Sequence, residues 1–273
     1  MPLQVLHIDY AERLVNKIKH SESEDEVILH MKETIAHYEL VNFSFNYSRP
    51  FVRARICDSG RGFNNTSEIY YPPTTLTTNG RANDKLNPCL YLSLKLETAT
   101  LEIGAKEGDV VQVALFKTKN DQNIRLGMIG EKINAVKGVG KNISEHMANE
   151  INRIVNEMSM KDRVLAMSYV YLDGFFNELL TDHNACKNDY LFSRTTIRLL
   201  HEKYDFLDGF MYHSNSDRGA HNIVVPAKIA DEKLGLVDTL LVRIKKVYDY
   251  GLIDYEIINT PTDIKSNGDI TWS

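Results

Sequence analysis

The chain has little of what would mark it as a disulfide scaffold, a membrane protein or a polyanion binder. Its three cysteines, Cys57, Cys89 and Cys186, are far apart, include no CxxC pair and leave one unpaired. Neither a zinc ribbon nor a disulfide framework is indicated, and reduced thiols in a cytoplasm fit best. No apolar run approaches the roughly 20 residues that a membrane-spanning helix needs. The opening segment MPLQVLHIDYAERLVNKIKH places charges in every turn, where a signal peptide would carry an apolar core and a cleavage site. Cationic excess is missing as well. A formal net charge of −5 argues against direct nucleic-acid binding, which depends on neutralising phosphates. The histidines show no HExxH or other close grouping, so no metal site is expected. Internal repeats, low-complexity tracts and flexible linkers are also missing.

What is present is an ordinary globular balance, 43% hydrophobic against 25% charged, enough for a sizeable core. In SESEDEVILHMKETIAHYEL, Ser23 followed by Glu26 reads as a capping box ahead of Val27, Leu29, Met31 and Ile35, predicting a helical extension over residues 1–45. RPFVRARICDSG reads as a strand entering a turn, and IYYPPTTLTTNG as a Pro/Thr loop. Alternation of Val111, Val113 and Leu115 predicts another strand. Ile143, Met147, Ile151, Ile154, Val155 and Met158 fall at helical spacing, and helices follow at LAMSYVYLDGFFNELL and RTTIRLLHEKY. DFLDGFMYHSNSDRGAHNIVVP predicts two strands joined by a turn, and the tail a hairpin with Tyr250-Gly251 near its tip. Strands, helices and strands in this order indicate an α+β fold without regular βαβ alternation.

Several residues are of types that carry chemistry. Arg81 follows Gly80 and precedes Asn83 in a turn that admits a ligand to the backbone, where a guanidinium can grip a diphosphate with paired hydrogen bonds. Its plainer reading is a solvated turn arginine. Arg53 and Arg55 alternate on one strand and so share a face, where two cations repel unless an anion lies between them. Tyr91 and Ser93 alternate with Leu90 and Leu92, so Tyr91 either packs an edge or faces a pocket where its ring can stack on a cationic base. Glu97 and Glu102 flank TATL; Glu97 suits a helix start, and Glu102, beside Leu101 and Ile103, suits a partly buried carboxylate or a helix-surface one. Ser214 ends a strand, where side chains often reach a site. His213 and Ser214 are adjacent on that strand and point to opposite faces, which excludes a Ser-His nucleophile pair. KGVGKNIS lacks the residues of a phosphate loop and reads instead as a loop before a helix capped at Asn142 or Ser144.

Taken together, FVRAR, GRAN, LYLS, ETATLE and DGFMYHS with HNIVV resemble, in order and over roughly residues 50–226, the RES domain family, named for its Arg, Glu and Ser. The resemblance implies a RES domain over 46–226, a fold similar to ADP-ribosyltransferase toxins with an inserted helical region, and a β-rich extension over 227–273. It implies NAD+ breakdown by phosphorolysis or hydrolysis, with nicotinamide released and inorganic phosphate as a co-substrate in the first case. Carried over by position, Arg53, Arg81, Tyr91, Glu102 and Ser214 match the family's site residues, with Arg55 and Asn83 as further dinucleotide contacts. NAD+ is then substrate and no resident cofactor or metal is implied. Many relatives are toxins masked by an Xre-like antitoxin, and such proteins often assemble with their partners. Asp84 stands where proline is frequent, and the amino-terminal and middle helices exceed a minimal toxin. Transfer of ADP-ribose to a protein, or dinucleotide binding without cleavage, are the alternatives.

Overall fold

Local sequence sets where the helices begin. In the computed structural model, which describes residues 7–45, 47–138 and 145–273, the His7 side chain caps α1 (Ile8–Lys19) and Ser23 caps α2 (Glu24–Ala36) by accepting from the Glu26 amide at 3.2 Å. Glu26 reaches back to the Glu22 amide at 2.9 Å. The buried stripe of α2 is Val27, Met31, Thr34 and Ile35, whereas Leu29 is 64% exposed because it falls on the opposite side of the turn. The chain continues through β1 (Val41–Phe45), β2 (Phe51–Ile56), β3 (Cys89–Ser93), α3 (Leu96–Glu102), β4 (Val110–Thr118) and β5 (Ile124–Met128). Next come α4 (Glu131–Val136), α5 (Glu145–Lys161), α6 (Arg163–Thr181), α7 (Leu191–Lys203), β6 (Gly209–His213) and β7 (His221–Pro226). The last elements are α8 (Ala227–Lys233), β8 (Leu234–Val247), β9 (Ile253–Asn259), β10 (Pro261–Ile264) and β11 (Ile270–Trp272). The fold is mixed α+β. Ile143 and the caps expected at Asn142 or Ser144 lie outside the described residues. Among the described residues no helix is long and apolar enough to cross a membrane.

The chain divides into two compact units. One takes residues up to Phe43, Asn79–Asp84 and Leu126–His213; the other takes Ser44–Thr78, Lys85–Arg125 and Ser214–Ser273. The first is mainly helical: α1 packs on α2 and α6, α2 on α7, and α4 on α5 and α6. Its strand β6 runs parallel to β5, with Met128 opposite Met211. At its centre lies a buried polar cluster. Lys132 and Asp173 are both fully buried, with Nζ 3.9 Å from Oδ1. Asp173 accepts Tyr38 Oη at 2.6 Å and the amides of Gly130, Lys132 and Ile133 at 3.2, 2.8 and 3.1 Å. The Lys132 ammonium also donates to the Glu39 carbonyl and sits over the rings of Tyr38 and Tyr169 at 4.4 and 3.4 Å. Burial, outweighing the attraction of Asp173, pulls its pKa down to about 8.

The second unit is built on an antiparallel sheet with strand order β7-β3-β2-β4-β8-β9. Alternation gives β2 two chemically different faces. Val52 and Ala54 pack with Ala99 of α3 and with Val111, Val113, Val242 and Ile244, forming the apolar core of this unit. Arg53 and Arg55 leave the strand on the other side. The β8–β9 turn closes where Tyr248 N donates to the Leu252 carbonyl at 2.8 Å, with Tyr250 and Gly251 at φ +64° and +80°. Glycine takes that left-handed backbone without a steric penalty, whereas Tyr250 adopts it at some cost. β10 and β11 form a separate two-stranded ribbon, pinned by Trp272 Nε1 donating to the Phe63 carbonyl at 3.1 Å.

Candidate active site

The end of α3 meets the loop that follows β6 in sequence. Glu102 is the last residue of the seven-residue helix α3 and is half-buried. Its Oε1 accepts the Ser214 hydroxyl at 2.5 Å and the backbone amides of Asn215 and Ser216 at 3.2 and 3.4 Å. A carboxylate at a helix C-terminus faces the negative end of the helix dipole, and these three donors offset that. Ser214 is buried, and its Oγ in turn accepts the Ser216 and Asp217 amides at 3.2 and 2.9 Å. Thr98 Oγ1, one turn back on α3, donates to Asp217 Oδ2 at 2.6 Å, so loop and helix are tied at two points. The outcome is asymmetric: Oε1 is fixed by three donors, while Oε2 has no hydrogen-bond partner among the described residues.

Arg53 and Tyr91 also come together, through the backbone. Arg53 Nη1 donates to the Tyr91 carbonyl at 3.2 Å, across the neighbouring strands β2 and β3. Burial, and secondarily the nearby Arg55 cation, lowers the Arg53 pKa to about 10, and its Nε is buried without a partner. Arg55 is exposed; it donates to the Glu68 carbonyl and lies over the Phe63 ring at 4.7 Å. The shared face expected of the two arginines is what the strand gives them. That face is the one opposite Ala99 and α3, so Arg53 and Arg55 diverge from the helix that carries Glu102. Tyr91 is half-buried opposite Val224, and Ser93 Oγ donates to Asn222 Oδ1 at 2.8 Å. Glu97 lies in the first turn of α3.

Arg81 and Asn83 belong to the first unit. Gly80 N donates to the Asn83 carbonyl at 2.9 Å, closing the turn that the sequence suggests. Arg81 Nη1 donates to the carbonyls of Leu180 and Asp182 at 2.9 and 3.0 Å, satisfying acceptors that α6 leaves open at its C-terminus. The guanidinium also lies 5.9 Å from the Tyr190 ring centroid. Asn83 is buried, with Nδ2 donating to the Asp84 carbonyl at 3.0 Å.

His213 and Ser214 have separate partners, as the alternation argument requires. His213 Nε2 lies 3.0 Å from a buried Glu131 carboxylate oxygen and 2.6 Å from Asn134 Nδ2. This carboxylate–imidazole pair escaped the sequence reading because its members are far apart in sequence and neither sits in a motif. Its only signal is a histidine at the end of an apolar strand. The three cysteines are free thiols, Cys57 and Cys89 buried and Cys186 exposed. No family model matches the chain, and no curated protein matches it either.

Proposed function

We propose that this protein breaks the nicotinamide–ribose bond of NAD+, with Glu102 as the reacting-end carboxylate and Ser214 as its positioning residue. The observation that carries the reading is the asymmetric hold on Glu102: one oxygen is fixed by Ser214 and two amides, and the other is left for a ligand. Such a carboxylate is oriented before substrate arrives, which is what electrostatic stabilisation of a developing charge requires. Nicotinamide in NAD+ is already cationic, so no acid need protonate the leaving group. The C1″–N bond of the nicotinamide ribose breaks with its electron pair passing to the nicotinamide nitrogen, and the ribose carbon takes on oxocarbenium character. Glu102 Oε2 stabilises that cation or accepts from a ribose hydroxyl. Hydrogen phosphate or water then supplies the electron pair for the new bond to C1″ and gives up a proton; the products are nicotinamide and a proton with ADP-ribose 1″-phosphate or, from water, with ADP-ribose. Ser214 accepts two amides while donating to Glu102, so its hydroxyl is engaged as an orienting group.

The RES-type resemblance accords with the reading, because two of the residues it assigns, 112 positions apart, meet as this hydrogen-bonded pair. An ADP-ribosyltransferase-like RES core over 46–226 is part of the same proposal. The test is to incubate purified protein with NAD+, with and without phosphate, and to follow nicotinamide and the ribose-bearing product by mass. Nicotinamide release that Glu102→Gln abolishes, with NAD+ binding retained, supports the proposal. Release that is unchanged in folded Glu102→Gln protein overturns the assignment, and label from NAD+ found on a protein moves the reading to ADP-ribose transfer.

A further inference from the structure

The arginine face of β2 carries a second feature that does not involve Glu102. A cavity of about 1120 Å³ opens there, with Arg55, Tyr70, Tyr71, Asp231, Leu236 and Lys265 among its lining residues. That volume suits a small-molecule site. Its carboxylates are already engaged: Asp231 accepts Tyr71 Oη at 2.6 Å, and Glu68 Oε1 accepts the Asn65 amide at 3.3 Å. Its cations are not engaged in the same way. Among the described residues Arg55 donates to the Glu68 carbonyl and lies over the Phe63 ring, and Lys265 Nζ makes no hydrogen bond, with Asp269 as its neighbouring charge. Arg53, two residues back on the same strand face, is buried behind this lining rather than part of it, and its Nε is unsatisfied. The lining thus carries two cations and two carboxylates, and with the carboxylates turned to Tyr71 and Asn65 a bound anion would find Arg55 and Lys265 as its donors.

The aromatic lining narrows the ligand. Tyr70 and Tyr71 stand edge to face, 81° apart with centroids 6.4 Å from each other, and Tyr70 is held in place by Phe116 at 4.9 Å and by the Leu236 amide on its hydroxyl at 3.1 Å. Two perpendicular rings form a corner in which a flat heterocycle stacks on one and meets the edge of the other. We infer that this cavity binds a phosphorylated aromatic ligand of nucleoside monophosphate size, its phosphate held by Arg55 and Lys265 and its base against the Tyr70–Tyr71 corner. The site is separate from the Glu102 centre and does not depend on NAD+ cleavage.

The experiment is calorimetric titration of the full chain with AMP, with adenosine and with inorganic phosphate. AMP should bind more tightly than either fragment, and Lys265→Ala and Arg55→Gln should each weaken it by about tenfold, the size of one charge-assisted contact. Lys265→Ala should weaken AMP binding while leaving nicotinamide release unchanged, which separates this cavity from the proposed cleavage centre. No binding of AMP overturns the inference, as does phosphate binding as tightly as AMP, or AMP affinity that Lys265→Ala leaves unchanged. Lys265 is exposed, so Lys265→Ala carries the test if Arg55→Gln fails a thermal-melt check of folding.

Discussion

Asp173 in the first unit commits both carboxylate oxygens to the fold, taking Tyr38 Oη and three backbone amides, whereas Glu102 in the second commits one. Each is oriented by backbone amides and a hydroxyl, and the difference lies in what remains. The Asp173 cluster is closed by its own lysine, ring faces and tyrosine hydroxyl, so it has nothing left for a ligand and serves to organise the first turn of α4. Glu102 retains an oxygen and a half-exposed position. The difference is that Asp173 gives both oxygens to the fold, whereas Glu102 keeps one that the proposed function puts to use.

The comparison breaks most sharply if Asp173 can be removed cheaply. Asp173→Ala leaves a buried ammonium without its counter-charge and three amides without their acceptor, so urea unfolding should show a loss of about 3–5 kcal/mol. Glu102→Gln should do the reverse: nicotinamide release should fall by about 100-fold or more, the scale for removing a preorganised electrostatic contact. Its urea midpoint should stay close to that of the parent, because Glu102 is half-buried and lies at a helix end. A third test uses pH. Lys132 has its pKa lowered to about 8 in the folded chain, against an ordinary value of 10.5. Below pH 8 it is protonated in both states and stability does not vary through it. Between pH 8 and about 10 the unfolded chain binds more protons, so stability should rise, by about 1–2 kcal/mol from pH 7 to 9.5. Lys203, lowered by burial, acts in the same direction. Above about pH 10 the raised pKa of buried Tyr38 opposes this, because the tyrosine ionises first in the unfolded chain. Denaturant titrations across this range should show the rise, and Lys132→Met should remove most of it. The smallest effect is expected of Ser214→Ala, about a tenfold loss in nicotinamide release through a less well oriented Glu102. A loss equal to that of Glu102→Gln would instead place Ser214 among the groups that touch substrate.

Regular periodicity made much of the secondary structure legible. Strands β2 and β4 showed through alternation, α7 through its apolar stripe, and the β8–β9 turn through Tyr250-Gly251. Leu29 misled because apolar character alone does not say which side of a helix is buried. Glu102 and Ser214 were legible as candidates only through motif order, since no local pattern reveals a contact across 112 positions. The separation of Arg53 from α3 could have been inferred from Val52 and Ala54, whose apolar side chains claim the opposite face. The Lys132–Asp173 cluster left no trace in the sequence, where a buried lysine is spelled the same way as a solvated one.

The interleaving of the two units also governs how this molecule is made. The chain passes from one unit to the other five times before it ends, at the boundaries after residues 43, 78, 84, 125 and 213. During synthesis, the helical unit lacks its last strand until the ribosome has passed His213, by which time most of the other unit has been waiting outside the exit tunnel without its long β8 strand. No single nick or truncation frees either unit whole, so a proteolytic fragment or a shortened gene product would lose pieces of both.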